Sequence, residues 1–344
     1  MAVLTIDCTK FVSGGGQILR SAISLSAITQ RRVNVINIRK KRQKPGLGAQ
    51  HVACVQAAVE LTDGNARGLE IGSQEVEFTP NGIVGGEYRF DVGTAGAVTL
   101  VAQCIIPLLS FAEKESWVRI TGGTHVRWSP PFEYVRDVLL PALRKFGQDI
   151  DVDILRYGFF PNGGGEIELN GKPKNHFVSS DFITRGRFLG VEGVSYSSNL
   201  PGGVSSRQAG AVMAVFPKAR LTVGPVDSSC PASVVVLRGV YENICVGSSA
   251  LGERGVPAED VGLGAAEGLK RELNVGRGVD VFLGDQILLH SSLAVGKTKI
   301  LTREITPHMR SNMALIEMFC GCIFKMGESK EVTVGGIGLK RVVH

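Results

Sequence analysis

What this chain lacks excludes several classes at once. Seven cysteines, an odd number without framework spacing, rule out a disulfide-stapled scaffold and read as reduced thiols of a cytoplasmic protein. Cys320-Gly-Cys322 is too close for the usual zinc-ligand pair and has no second pair to join it, while His51, His125, His176 and His290 have no metal-site spacing. No signal peptide is expected, because Met1 to Lys10 carries Asp7 and has no long apolar core. Val92 to Ala112 holds no charge and is long enough to span a bilayer. Gln103, Pro107 and the small residues at its start instead suggest a buried helix, so no membrane partner is expected. Charged residues make up only 20% and apolar residues 44%, which fits a globular protein and not a disordered one.

What is present is a repeat. A glycine-rich turn opens an apolar helix, an apolar strand follows, and a polar or basic turn opens a second helix. The first copy runs from Gly14-Gly15-Gly16-Gln17 through a helix over Ile18 to Ile28, a strand over Val33 to Ile38, and Lys44-Pro45-Gly46 into a helix over Ala49 to Leu61. The second opens at Gly93-Thr94-Ala95-Gly96, passes a strand over Trp117 to Thr121, and turns through Ser129-Pro130-Pro131 into a helix over Phe132 to Phe146. The third opens at Leu283-Gly284-Asp285-Gln286, passes Thr298 to Leu301, and turns at Thr306-Pro307-His308 into a helix near Asn312 to Phe319. Each opening leaves free N–H groups at a helix N-terminus, where the dipole favours an anion, so several phosphate-binding ends can converge.

The wide gap between the second and third copies predicts an insertion. The expected organisation is a large repeat domain, residues 1–178 plus 279–344, and an inserted small α/β domain, residues 179–278. A length of 344 residues agrees with two cores. Within the insert, Ala265 to Lys270 reads as an amphipathic helix packed on a sheet.

The net charge of +6 is unevenly placed: Arg31, Arg32, Arg39, Lys40, Lys41, Arg42 and Lys44 fall within fourteen residues, just before Pro45-Gly46 and a helix start. That cluster suits a nucleotide or a nucleic acid, though a solvated charged loop has the same composition. The common nucleotide motifs fail. Leu19 stands where a dinucleotide fingerprint needs its third glycine, and Ser291 where a P-loop ending at Gly296-Lys297-Thr298 needs its first.

Gly14-Gly15-Gly16-Gln17-Ile18-Leu19-Arg20, Ile38-Arg39 with Arg42, Lys44-Pro45-Gly46-Leu47, Gln50-His51 and Gly72-Ser73 together resemble the N-terminal signature of RNA 3'-terminal phosphate cyclases. Gly158-Phe-x-Pro161-x-Gly-Gly-Gly165-Glu166, Asp285-Gln286 and His308-x-x-Ser311-Asn312 continue the resemblance in order along nearly the whole chain. The resemblance implies an α/β fold: a large domain of repeated two-helix, mixed-sheet units like that of enolpyruvyl transferases, with a smaller α/β insert. It implies ATP-dependent conversion of an RNA 3'-phosphate to a 2',3'-cyclic phosphodiester, by a histidyl-AMP and then an RNA-adenylate. ATP with Mg²⁺ or Mn²⁺ and RNA with a 3'-terminal phosphate are then the cofactors and partner, and a homodimer is compatible. Two rivals are a non-enzymatic RNA-processing relative and a carboxyvinyl transferase.

By the same resemblance His308 is the nucleophile. A neutral imidazole, with an ordinary pKa near ~6.5, forms a phosphoramidate that later leaves readily. Arg20, Arg39 and Arg42 match phosphate-binding arginines, for which guanidinium groups are suited. Gln17, Gln50, Gln103 and Gln286 match polar residues of the pocket, and Phe282 with Pro131 the pair that holds adenine. Without the resemblance, Phe282 reads as core. Asp285 orients the histidine or the nucleotide, or caps its helix.

The chain departs from the family pattern in three places. Ser13 stands where an acidic residue usually precedes the glycines, and a hydroxyl is a weak Mg²⁺ ligand. Thr124-His125-Val126-Arg127-Trp128 is bulkier than usual, and Arg310 lies inside the histidine motif. Burial is the first reading of Trp128, stacking on an RNA base the second.

Overall fold

The computed structural model describes residues 3–341, and the repeat resolves into a β-α-β-α-β-β unit built three times. The first comprises β1 (Leu4–Asp7), α1 (Gly16–Thr29), β2 (Val33–Ile36), α2 (Ala49–Leu61), β3 (Asn65–Arg67) and β4 (Val76–Thr79). In the second, β5 (Glu87–Asp91), α3 (Val98–Phe111) and β6 (Ser116–Gly122) lead into α4 (Phe132–Tyr134), a π turn over Val135–Leu139 and α5 (Leu140–Arg144). Strands β7 (Asp149–Arg156) and β8 (Gly165–Lys172) complete it.

The third unit starts with β9 (Asp181–Phe182) and is interrupted there. The intervening elements are β10 (Phe188–Ser198), α6 (Val204–Val215), β11 (Arg220–Pro225), β12 (Ala232–Tyr241), β13 (Cys245–Leu251) and α7 (Ala258–Leu273). The unit resumes with α8 (Val281–Gln286), α9 (Leu288–Leu293), β14 (Val295–Leu301), α10 (Pro307–Cys320), β15 (Phe324–Met326) and β16 (Glu331–Ile337).

The sheets show the same construction three times over. Their orders are β1-β2-β4-β3, β5-β6-β8-β7 and β9-β14-β16-β15. In each, the first pair is parallel and the other pairs are antiparallel. The right-handed helical crossover of a parallel pair places the opening helix over the sheet, which is how one motif fixes one layer arrangement. Alternation of buried and exposed positions, as in Val33 and Val35 of β2 or Val332 and Val334 of β16, gives each sheet one apolar face toward the helices. The fourth sheet, β11-β10-β12-β13, is covered by α6 and α7, the latter including Ala265 to Lys270.

Arg185 marks the crossing between units. It is almost completely buried, donates through Nε to Gly278 O at 2.7 Å and through Nη1 to Glu272 O at 2.9 Å, and lies over the Tyr241 ring. It thus holds the chain where it leaves the third unit against where it returns.

Three expected boundaries move. The uncharged segment forms α3, a 14-residue helix of about 21 Å whose residues are nearly all buried. Among the described residues no helix is long and apolar enough to cross a membrane. Leu283 to Gln286 do not form an opening turn; they lie inside α8, which starts earlier because Asp280 caps it, accepting from Phe282 N at 3.0 Å and Leu283 N at 2.9 Å. Helix α10 begins at Pro307 instead of near Asn312, since Thr306 accepts from Met309 N at 3.1 Å and Pro307 has its φ preset for the first helical position. That shift puts His308 in the first turn of a helix.

Candidate active site

The N-terminal ends of α1, α2, α3 and α10 meet through side chains that join the repeats. Gln50 of α2 accepts from Ala97 N at the head of α3, at 2.9 Å. Ser13 N, just before α1, donates to Ser311 Oγ of α10 at 2.9 Å. Ser21 of α1 donates to Asn312 Oδ1 of α10 at 2.8 Å. Gln103 of α3 donates to Gln286 Oε1 of α8 at 2.6 Å. Helix ends contributed by separate repeats are therefore locked side by side.

A cavity of about 450 Å³ opens among them, lined by His308, Gln17, Arg20, Gln103, Asp285, Gln286, Pro131 and Phe282, with Trp128, Ser248 and Ser249 at its other side. Its walls come from all three repeats and from β13 of the inserted unit. Phe282 is 64% exposed, which removes the core reading of that ring. Trp128 is 92% exposed, so its first reading as a buried residue is wrong. Its backbone is left-handed, φ 61°, in a turn just before Pro130-Pro131.

The amide of Gln17 organises this cavity. Its Nε2 donates to Asp285 Oδ1 at 2.6 Å, and Asn312 Nδ2 donates to the same oxygen at 2.8 Å. Because the carboxylate takes the NH₂ group, Oε1 of Gln17 must face His308, where it contacts Nδ1. Nδ1 therefore carries the hydrogen and donates it, which leaves Nε2 with its lone pair. Desolvation pushes the Asp285 carboxyl up, opposed by His308 and by the bonds from Gln17 and Asn312. Asp285 does not touch His308 in a hydrogen bond; it acts through Gln17. Nor does it cap α8, since Asp280 does so.

A second cluster surrounds the heads of α1 and α2. The His51 ring lies against Gly16, so close that a Cβ there would fall 2.0 Å from Nε2, and its Nδ1 accepts from Gly48 N at 3.0 Å. Burial first, then Arg20 and Arg39, pull His51 down to about 3, which keeps the ring neutral. Arg39 has a left-handed backbone, φ 52°, and donates to Gly46 O at 2.7 Å, while an Arg42 guanidinium nitrogen lies beside Gly15. Arg39, Arg42 and Gln50 therefore gather at this rim and not on the lining of the larger cavity. Arg20 joins the two: it lines the cavity, and its charge bears on His51.

Sequence reasoning missed several supporting residues. Asp280, fully buried, accepts not only from the head of α8 but from Tyr134 Oη at 2.7 Å and Gly247 N at 2.9 Å, which fastens α4 and β13 beside Phe282. Burial pushes its carboxyl up despite these donors. An Asp immediately before the apolar Val281-Phe282-Leu283 is an N-cap signal and would have revealed the true start of the helix. Nothing in the sequence shows that His51 meets Gly16 and Gly48.

Comparison with known proteins places nearly the whole chain in one family. The sequence model described as RTC: RNA 3'-terminal phosphate cyclase matches residues 11–326. The chain belongs to the RNA 3'-terminal phosphate cyclase family. It is 40% identical over 339 residues to the RNA 3'-terminal phosphate cyclase of Pyrococcus furiosus, covering 94% of this chain and 97% of that one. It is 39% identical over 329 residues to the protein of the same name from Archaeoglobus fulgidus, covering 93% and 97%. The family consists of ligases and uses ATP.

Among the described residues no three His, Cys, Asp or Glu side chains cluster in a way that could hold an ion. Ser13, where the resemblance led to an acidic residue being expected, has a buried hydroxyl with no hydrogen-bond partner.

Proposed function

We propose that this chain uses ATP to convert the 3'-terminal phosphate of an RNA into a 2',3'-cyclic phosphodiester, with His308 carrying the adenylate. One observation supports this above all: in the first turn of α10 His308 has Nδ1 committed to Gln17, so the remaining nitrogen is a free nucleophile on a nucleotide-sized cavity.

In the first step Nε2 attacks the α-phosphorus of ATP. The bond to the bridging oxygen breaks, pyrophosphate leaves and a P–N bond forms. The imidazole then carries a positive charge on Nδ1–H, which the Gln17 carbonyl accepts and the Asp285 carboxylate balances from behind. An oxygen of the RNA 3'-phosphate next attacks the adenylate phosphorus and the P–N bond breaks, returning the imidazole to its neutral form. Finally the 2'-hydroxyl attacks the 3'-phosphorus, loses its proton and expels AMP.

Adenine lies between Phe282 and Pro131, with Gln103 and Gln286 beside it. Arg20, Arg39 and Arg42, with the heads of α1 and α2, receive phosphates through bidentate and helix-dipole contacts. Mg²⁺ or Mn²⁺ would accompany the phosphates of ATP, as a hard cation does. Residues 1–178 and 279–344, together with β9, make up the catalytic unit, and the remainder of 179–278 is the inserted one. The protein works in the cytoplasm on RNA ends.

The test is incubation with α-labelled ATP. Acid-labile, alkali-stable label on the protein that disappears in His308→Ala, and cyclic ends on 3'-phosphorylated RNA, are expected. No label on folded protein that still binds RNA would overturn the mechanism.

A further inference from the structure

Trp128 is a costly residue to leave as it is. Its indole is 92% exposed, and its backbone sits in the left-handed region at φ 61°, which a bulky residue adopts only under constraint. The constraint is visible on both sides. Arg127 forms an ion pair with Glu253, just beyond β13, which ties the turn to the inserted unit. Ser129 donates to Val126 O at 2.8 Å, closing the turn before Pro130. Neither contact needs an aromatic ring between them.

The indole also stands on a boundary. It lines the 450 Å³ cavity of His308 and, with Val126, Arg127, Ser249, Leu251 and Glu253, a neighbouring cavity of about 380 Å³. Phe282, the other exposed aromatic on the first cavity, lies next to the Asp280 anchor, so the site presents two exposed aromatic rings that do not stack on each other. An ATP molecule has one base. A reaction that brings ATP and an RNA end to the same histidine brings a second.

We infer that Trp128 is a stacking platform for a nucleobase at the 3' end of the RNA, and that the groove toward Leu251 and Glu253 receives that base. The inference rests on the cyclase reading above. Stacking of a base on an aromatic side chain tolerates any sequence, because every base has a π face. The platform would therefore hold RNA ends of any sequence in register with His308. The acidic Glu253 is engaged by Arg127, which keeps its charge from repelling the phosphates nearby.

The experiment uses the full chain and 3'-phosphorylated oligoribonucleotides that are intact, abasic at the last nucleotide, or abasic at the one before it. Trp128→Ala is expected to raise the KM for intact RNA about tenfold or more, with kcat little changed. Labelling by ATP alone should be unaffected, and Trp128→Phe should restore most of the affinity. One of the abasic RNAs should be used equally by the wild type and Trp128→Ala, and that one identifies the stacked base. Because Trp117 and Trp128 are the two tryptophans, Trp117→Phe leaves one reporter, whose fluorescence intact RNA should quench.

An unchanged KM, an equal loss on every abasic RNA, or an absence of quenching would overturn the platform. A weakened KM for ATP in self-labelling would reassign the indole to adenine and overturn it as well. Quenching by RNA in a protein that never forms cyclic ends would sustain the platform and overturn the cyclase reading instead.

Discussion

Replacing Gln17 by Leu tests whether the histidine is oriented by the relay from Asp285. The side chain is buried and Leu has nearly its volume, so packing is retained while both polar contacts vanish. His308 loses the acceptor for Nδ1–H, and Asp285 loses its 2.6 Å donor and keeps only the 2.8 Å bond from Asn312. The acceptor matters most after attack, when the ring is cationic. A hydrogen bond to a charged group contributes about 1.5–3 kcal/mol. At 1.36 kcal/mol per tenfold in rate, self-adenylylation should slow by ~10- to 150-fold. The assay is the single-turnover rate of label transfer from α-labelled ATP at saturation, with circular dichroism and a thermal melt as the folding control. The rate should fall much more than ATP affinity. Asp285→Ala should fall in the same range, and the double variant should be no slower than the worse single one, because the two groups act as one unit. Wild-type labelling at saturation, or fully additive losses, would refute the relay.

Other outcomes follow from the supporting shell. Asp280→Ala leaves two helix N–H groups, the Gly247 N–H and the Tyr134 hydroxyl without their buried acceptor, so stability should fall in denaturant melts by about 1–3 kcal/mol for each donor left unsatisfied; Tyr134→Phe should cost only about 1 kcal/mol. Gly16→Ala would put a methyl group into the His51 ring and expel it from the head of α2; a lower melting temperature with weaker ATP binding is expected, and an unchanged KM would exclude His51 as the rim of the phosphate site. His51 and His290 are both held at about 3 by burial, below the ordinary 6.5. The folded state thus binds fewer protons than the unfolded one below pH 6.5, so stability is full above 6.5 and declines as pH falls toward 3. The Asp280 and Asp285 carboxyls, pushed up by burial, act with the opposite sign, so the check is a comparison of wild type with His290→Gln between pH 6.5 and 4.5; identical pH dependence of the two melts would contradict the buried neutral ring.

Much of this was legible because the repeat is local. The apolar alternation of β2, the glycines before α1 and the basic turn before α2 fall close together in the chain, and α2 appears over the residues expected of it. The strands that open each unit escaped: β1 and β5 are only four and five residues long and half-exposed, and β9 is a pair of residues that becomes a strand only because β14 lies beside it. The site was legible as a set of residues and not as a circuit. His308 and Gln17 are 291 positions apart, and Gln17 and Asp285 are 268 apart; no spacing rule joins them. Trp128 shows the limit most clearly. Hydrophobicity predicts burial because apolar surface is driven from water, but that force acts only if the backbone can carry the ring to a core. Between the Arg127 ion pair and the Ser129 turn, followed by two prolines, the chain cannot fold back. Other apolar side chains, such as Phe160 and Ile71, are also exposed, but Trp128 stands on the wall of the His308 cavity, where its ring can meet the substrate.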